Sequence, residues 1–150
     1  MIPDVRLGTT DIDVAVELAA LEGLGGGAVA SFTGIVRGDD ALIALELEHY
    51  PEMTLAAMTG IAEQAAARWP LLGLTVVHRH GRLAPGERIV FIGVAASRRG
   101  AAIKAMQFLI DWLKTRAPFW KREHRAGGGA SWVEPREADS QAAARWESRA

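Results

Sequence analysis

The chain has 150 residues, nearly half of them apolar, and its 17 basic and 18 acidic side chains almost cancel. That length suits one domain over residues 1–150, and the near-zero net charge argues against a nucleic-acid-binding surface. Cysteine is absent, which excludes disulfides, thiolate metal sites, a cysteine nucleophile and a persulfide carried on this chain.

No apolar run reaches eighteen residues, so no membrane helix is predicted. The first residues lack the charged-then-apolar pattern of a secretory signal, and the expected compartment is the cytoplasm. Residues 5–7 suit a short strand. Thr10 and Asp11 offer an N-cap for a short amphipathic helix over 12–21. Gly25, Gly26 and Gly27 then connect helix to strand; no Gly-Lys-Ser/Thr follows, so they do not read as a phosphate loop. Residues 28–37 form a strand with Arg37 at its exit. After a turn at 38–40, residues 41–50 form a second strand, with Leu45, Leu47 and His49 on one face and Glu46, Glu48 and Tyr50 on the other. These two strands are expected to pair antiparallel. Pro51 and Glu52 open a helix that Pro70 stops.

Residues 74–79 read as a strand, and Ala84-Pro85-Gly86-Glu87 carries type II turn chemistry. The nearly continuous apolar run 88–95 predicts a central strand covered on both faces. Ser97 is the expected cap of a long helix whose apolar positions are Ala101, Ala102, Ile103, Met106, Leu109, Ile110 and Leu113. Arg98 and Arg99 fall at the N-terminus of that helix. Cations cost about 0.3–1 kcal/mol there, and an anion held between them and the free amides would account for the pair. Lys114 lies in the last turn. Pro118 cannot continue the helix and pushes Ala117 towards extended geometry.

An unbroken helix would hold Lys114 and Lys121 about 10 Å apart on one face. With the break, the two meet only if residues 119–123 turn back as a strand. Residues 131–134 are then expected to close a hairpin over a Gly-rich turn, with Asp139 or Ser140 capping a last short helix ending near Trp146. The fold class expected is α+β, with mostly antiparallel strand pairs and one long buried helix.

On local physics alone, Lys114 stabilises a helix dipole and Lys-Arg-Glu at 121–123 is a solvated face. His78 and His80 could begin a metal site, but no third ligand is visible, so no metal is expected. Aromatics mixed with cations over 112–125 could suggest single-strand binding, yet they look committed to packing. What remains is a set of cations at element ends: Arg37, Arg98, Arg99, Lys114 and Lys121. Gathered at one rim they would form an anion pocket, arginine suiting a phosphate and lysine the chemistry.

The motifs Ser-Phe-Thr-Gly-Ile-Val-Arg (31–37), Leu-Glu-His-Tyr-Pro-Glu-Met (47–53), Val-His-Arg-His-Gly (77–81) and Leu-Lys-Thr-Arg-Ala-Pro-Phe-Trp-Lys-Arg-Glu (113–123) together resemble the molybdopterin synthase large subunits, the MoaE family. Trp132-Val133-Glu134 and the 136–146 tail match as well. The resemblance implies an α/β-hammerhead fold and a homodimer within a heterotetramer. In it, a small ubiquitin-like sulfur carrier inserts its C-terminal Gly-Gly thiocarboxylate into the large-subunit pocket. The reaction implied is sulfur transfer to cyclic pyranopterin monophosphate, giving the molybdopterin dithiolene with no cofactor. Lys114 and Lys121 match the two pocket lysines of the family. Arg37, Arg99 and the Lys121-Arg122-Glu123 run match its substrate-contacting positions, and Arg98 beside them is expected to bind substrate as a donor for the phosphate. Two places depart from the family pattern: Arg98 stands where a histidine is common, and the loop after Arg37 is short. His80 replaces an isoleucine. A competing expectation is a non-catalytic homologue that only holds a ubiquitin-like tail or a phosphorylated small molecule.

Overall fold

The computed structural model describes residues 1–39, 41–133 and 137–147. In chain order these form β1 (Asp4–Gly8), α1 (Val14–Glu22), β2 (Ala28–Ile35), β3 (Leu42–His49), α2 (Pro51–Arg68), β4 (Leu71–Arg79), β5 (Gly81–Leu83), β6 (Arg88–Ala96), α3 (Arg99–Arg116), β7 (Phe119–Arg125), β8 (Ala130–Val133) and α4 (Glu137–Ala144). The class is α+β, as the alternation of elements implied. Two four-stranded sheets run in the orders β1-β4-β6-β2 and β5-β3-β7-β8.

The first sheet is organised on β6, whose residues from Phe91 to Ala96 are all buried. On one face Ile92 and Val94 join Leu74 and Val76 beneath Met58, Ile61, Ala62 and Ala65 of α2 and Ala105, Phe108, Leu109 and Trp112 of α3. On the other face Phe91 and Ala95 pack against Ile12 and Leu21 beside α1. That approach is close: a Cβ on Gly93 would lie 2.4 Å from a Leu21 methyl. The second sheet has its own smaller core of Val36, Leu45, Leu47 and Leu83, against which Ile89 and Phe119 pack.

Several expectations are corrected. β2 and β3 do not pair with each other. β2 pairs with β6 in the first sheet, and β3 pairs with β5 and β7 in the second. The physical reason lies in the two sequences. β2 is apolar enough to extend a sheet covered by helices, whereas β3 alternates and needs one wet face. β1 joins β4 in parallel, and the other strand pairs among the described residues are antiparallel, so the pairing is mostly antiparallel as expected. The short strand β5 follows directly after His80, and its three residues are too few to show a period.

The helix caps also shift. Asp13, rather than Thr10 or Asp11, caps α1 and accepts from the Val16 amide at 3.2 Å. Asp11 instead accepts from the Ile12 amide at 2.8 Å. The N-cap of α3 is Arg98 in extended geometry with no side-chain cap bond, so Ser97 does not cap it. α4 starts at Glu137, which places Asp139 and Ser140 inside the helix. The expected strand end at Glu134 lies outside the described residues. The turn at 84–87 is as expected: Gly86 has φ +89° and the Glu87 amide donates to the Ala84 carbonyl at 3.1 Å.

Only Ser97 and Arg98 separate β6 from α3, so the helix turns straight back along the sheet. Its end is anchored by the tail of the chain. Trp146 Nε1 donates to Asp111 Oδ2 at 2.8 Å, and Trp146 is itself buried. Lys114 lies three residues beyond that anchor.

Candidate active site

The break after α3 sets the geometry of the site. Ala117 has φ −70° and ψ 124°, so the helix ends there in extended backbone, and its amide still donates to the Leu113 carbonyl at 3.3 Å. β7 begins two residues later and runs antiparallel to β3, with His49 opposite Phe119, Leu47 opposite Lys121 and Leu45 opposite Glu123. Directly opposed residues share a face. Phe119, Lys121 and Glu123 therefore lie on the inner side with the small core. Trp120, Arg122 and His124 lie on the outer side with Glu48 and Glu46.

That alternation separates residues adjacent in sequence. Trp120 meets Tyr50 edge-on at 5.1 Å, and the Arg122 guanidinium sits over the Trp132 ring at 5.4 Å. His124 Nε2 lies 2.9 Å from Glu46 Oε1. Arg122 thus faces away from Lys121. Glu123, on the inner side, pairs with Arg125, which also bonds Asp39 at 3.3 Å across the loop after Arg37. The Ala41 amide, more than Arg125, holds the Asp39 carboxyl below its usual range.

Beneath Lys121 is a cluster that links the two sheets. His78, near the end of β4, stacks on Phe119 with ring centroids 4.0 Å apart and planes 18° from parallel. His49 lies 5.6 Å from the same Phe119 ring and meets His80 edge-on at 4.3 Å. His78 Nδ1 donates to the Arg79 carbonyl at 2.7 Å. Burial pushes the His78 imidazole down to about 4, and the neighbouring Lys121 charge pushes the same way. Burial also lowers His80, with His49 adding to it.

His78 is neutral in the fold, and the unfolded chain binds a proton near 6.5 that the folded chain refuses. Stability is therefore unaffected above about pH 6.5 and falls as pH drops from there towards 4, by about 3 kcal/mol for this group. Thermal melting across that range is expected to show the loss, and His78→Phe to flatten it. A wild-type melting temperature constant from pH 7 to 4.5 would contradict a buried neutral His78.

The cations of the sequence analysis divide between two ends of the molecule. β2 leads to Arg37 at the end where Ile35 opposes Arg88, the start of β6. His78 opposes Val90, close to the same end. α3 returns to that end, carrying Lys114 in its last turn, and β7 starts there. Arg98 and Arg99 are at the opposite end of α3. At 1.5 Å per residue, Arg99 and Lys114 are about 22 Å apart along the helix axis. Within one chain, then, Arg37, Lys114 and Lys121 belong to one rim, and the expected convergence of all five cations does not occur. All five are exposed.

Three residues of the site were not singled out by chemistry in the sequence. His49 read only as an alternating strand position, Phe119 as one of the aromatics committed to packing around Lys121, and His78 as half of a weak metal pair. The signal available was that the His49 face carries Leu45 and Leu47, which marks it as inward. Nothing local showed that β4 would meet β7.

A family model described as "MoaE protein" matches residues 7–116, well over half of the chain. The chain belongs to the MoaE family. A molybdopterin synthase catalytic subunit from Mesorhizobium japonicum is 55% identical over 150 residues, covering 97% of this chain and 94% of its own. The Escherichia coli K12 catalytic subunit is 54% identical over 123 residues, covering 80% and 81%. The structure of a molybdopterin biosynthesis MoaE protein from Burkholderia ambifaria superposes with a TM-score of 0.83 at 45% identity, covering 97% of this chain and 98% of that one. The match to the MoaE family model takes in Lys114 and ends before Lys121.

Proposed function

We propose that this chain is the catalytic subunit of a molybdopterin synthase. It passes sulfur from the C-terminal thiocarboxylate of a small ubiquitin-like partner to cyclic pyranopterin monophosphate. The observation that carries this reading is the pair Lys114 and Lys121, exposed at one rim on either side of the Pro118 break, in a chain without cysteine. With no thiol of its own, the chain has to receive sulfur from outside.

In each transfer the thiocarboxylate sulfur forms a bond to a pterin side-chain carbon as the carbon–oxygen bond there breaks, the oxygen leaving with the ring-opened phosphate monoester at one carbon and as water at the other. Water then cleaves the acyl carbon–sulfur bond, leaving the partner's carboxylate and the thiolate on the pterin. Two transfers give the dithiolene. The lysine ammonium groups hold the thiocarboxylate and stabilise the negative charge that develops on its acyl oxygen. Arg37 lies on the same rim and suits the phosphate. Glu123, inward-facing and paired with Arg125, fixes the strand that carries Lys121.

Arg98 and Arg99 serve the phosphate from a second copy of the chain, because the length of α3 keeps them from the lysines of their own copy. A two-fold dimer brings each copy's helix start to the other's lysine rim, making two equal sites. Arg98 keeps a donor where the family commonly has histidine. Arg122 is assigned to holding Trp132 rather than to substrate. Residues 1–150 act as one domain, and the reaction is placed in the cytoplasm.

The test is reconstitution. Purified chain and pyranopterin substrate are expected to give no dithiolene until a thiocarboxylated small partner is added. Product without that partner would overturn the reading.

A further inference from the structure

We propose that His78 is a positioning residue for Lys121, acting through Phe119. This rests on the catalytic reading of Lys121 given above. His78 belongs to the helix-covered sheet, and Phe119 begins β7 in the other. Their near-parallel stack at 4.0 Å is therefore a direct side-chain bond between the two sheets at the point where the Lys121 strand starts. Lys121 follows Phe119 by two residues and shares its face. The backbone that carries Lys121 is therefore held two residues from the ring that His78 stacks on.

The stack is itself held. His78 is 9% exposed, and its Nδ1–H is fixed on the Arg79 carbonyl at 2.7 Å, which sets both ring plane and tautomer. Arg79 is held in turn: its guanidinium donates to the Thr9 and Arg88 carbonyls, each at 3.0 Å. His49 of β3 also packs on Phe119, with ring centroids 5.6 Å apart, and meets His80 edge-on at 4.3 Å. The choice of imidazole over a larger apolar ring supplies a flat face together with a donor that locks it. As a neutral ring it also adds no cation beside Lys121, in a site where the ammonium must meet an anionic thiocarboxylate.

The variants His78→Leu, His78→Phe and Phe119→Leu are measured in the complete complex with its thiocarboxylated partner, by single-turnover sulfur transfer at saturating substrate. His78→Leu removes the stack at similar volume and is expected to slow transfer roughly 10- to 100-fold, with KM and partner affinity nearly constant. His78→Phe restores a ring face and is expected to recover most of that rate. Phe119→Leu should match His78→Leu, and it carries the test if His78→Leu fails to fold. In a Lys121→Ala background, His78→Leu should cost nothing further, whereas general damage to the fold would add its own loss. Wild-type rates for His78→Leu and Phe119→Leu, a His78→Phe variant as slow as His78→Leu, or additive losses with Lys121→Ala would each overturn the inference. A Lys121→Ala variant at the wild-type rate would remove the catalytic reading itself, which separates that failure from a failure of His78 alone.

Discussion

Replacing Lys121 with alanine is expected to slow single-turnover sulfur transfer by roughly 100-fold or more while the protein stays folded and bound to its partner. The physical case is the contrast between where the backbone of Lys121 is held and where its head group reaches. β7 is paired on both sides, with Leu47 opposite Lys121 on β3 and Val133 opposite it on β8. The side chain nonetheless remains exposed. Truncating an exposed side chain changes stability by about 0.5 kcal/mol or less. Losing a cation from a reacting thiocarboxylate removes stabilisation that matters only as charge develops. Lys114→Ala is expected to behave alike, since α3 is anchored upstream by Trp146 on Asp111 and does not need the lysine for its position. If the two ammonium groups act as a unit, the double variant falls short of the product of the single losses. The readout is single-turnover transfer beside a pull-down of the small partner. Lys121→Ala turning over at the wild-type rate while folded and bound would falsify its catalytic role.

The second large effect is expected at the other end of α3. Arg99→Ala should raise KM for the pyranopterin roughly 10- to 100-fold, as loss of charge-assisted bonds to a phosphate does, with kcat much less affected. Arg98 is the N-cap and Arg99 the first residue of an 18-residue helix whose start has no side-chain cap bond, so its first amides lack a capping side chain beside two exposed arginines. Steady-state kinetics on the partner-saturated complex separates the two constants. A loss confined to kcat would assign Arg99 to the chemistry instead of the phosphate.

Much of this was legible in the residues, and what was not has a common cause. The helix break at Pro118 could be read because proline acts locally, on its own φ and its own missing amide. The inward face of β3 could be read because Leu45 and Leu47 alternate with Glu46 and Glu48. The central place of β6 followed from an apolar run too long for a half-exposed strand. Strand pairing was different. The loop from Arg37 to Leu42 resembles a hairpin connection in length, yet it carries the chain from one sheet to the other, a choice decided by what β6 and β7 offer as partners. The stack of His78 on Phe119 was hidden for the same reason, since it depends on two strands separated by α3 meeting at their ends. The five cations were identified by type and by position at element ends. Element ends lie at two edges of a sheet, however, and only the direction of α3 shows which edge each cation occupies.

The proposal that one site takes its lysines from one copy and Arg98 and Arg99 from another can be tested directly. The measurement is sulfur-transfer activity after dissociating and reassociating a mixture of Lys121→Ala and Arg99→Ala chains, each nearly inactive alone at limiting substrate. In a two-fold dimer, a mixed pair has one site carrying both substitutions and one carrying neither. Random pairing should therefore restore about a quarter of wild-type activity. If each chain instead builds its site from its own lysines and arginines, every site in the mixture carries one substitution, and the activity stays at the level of the separate variants.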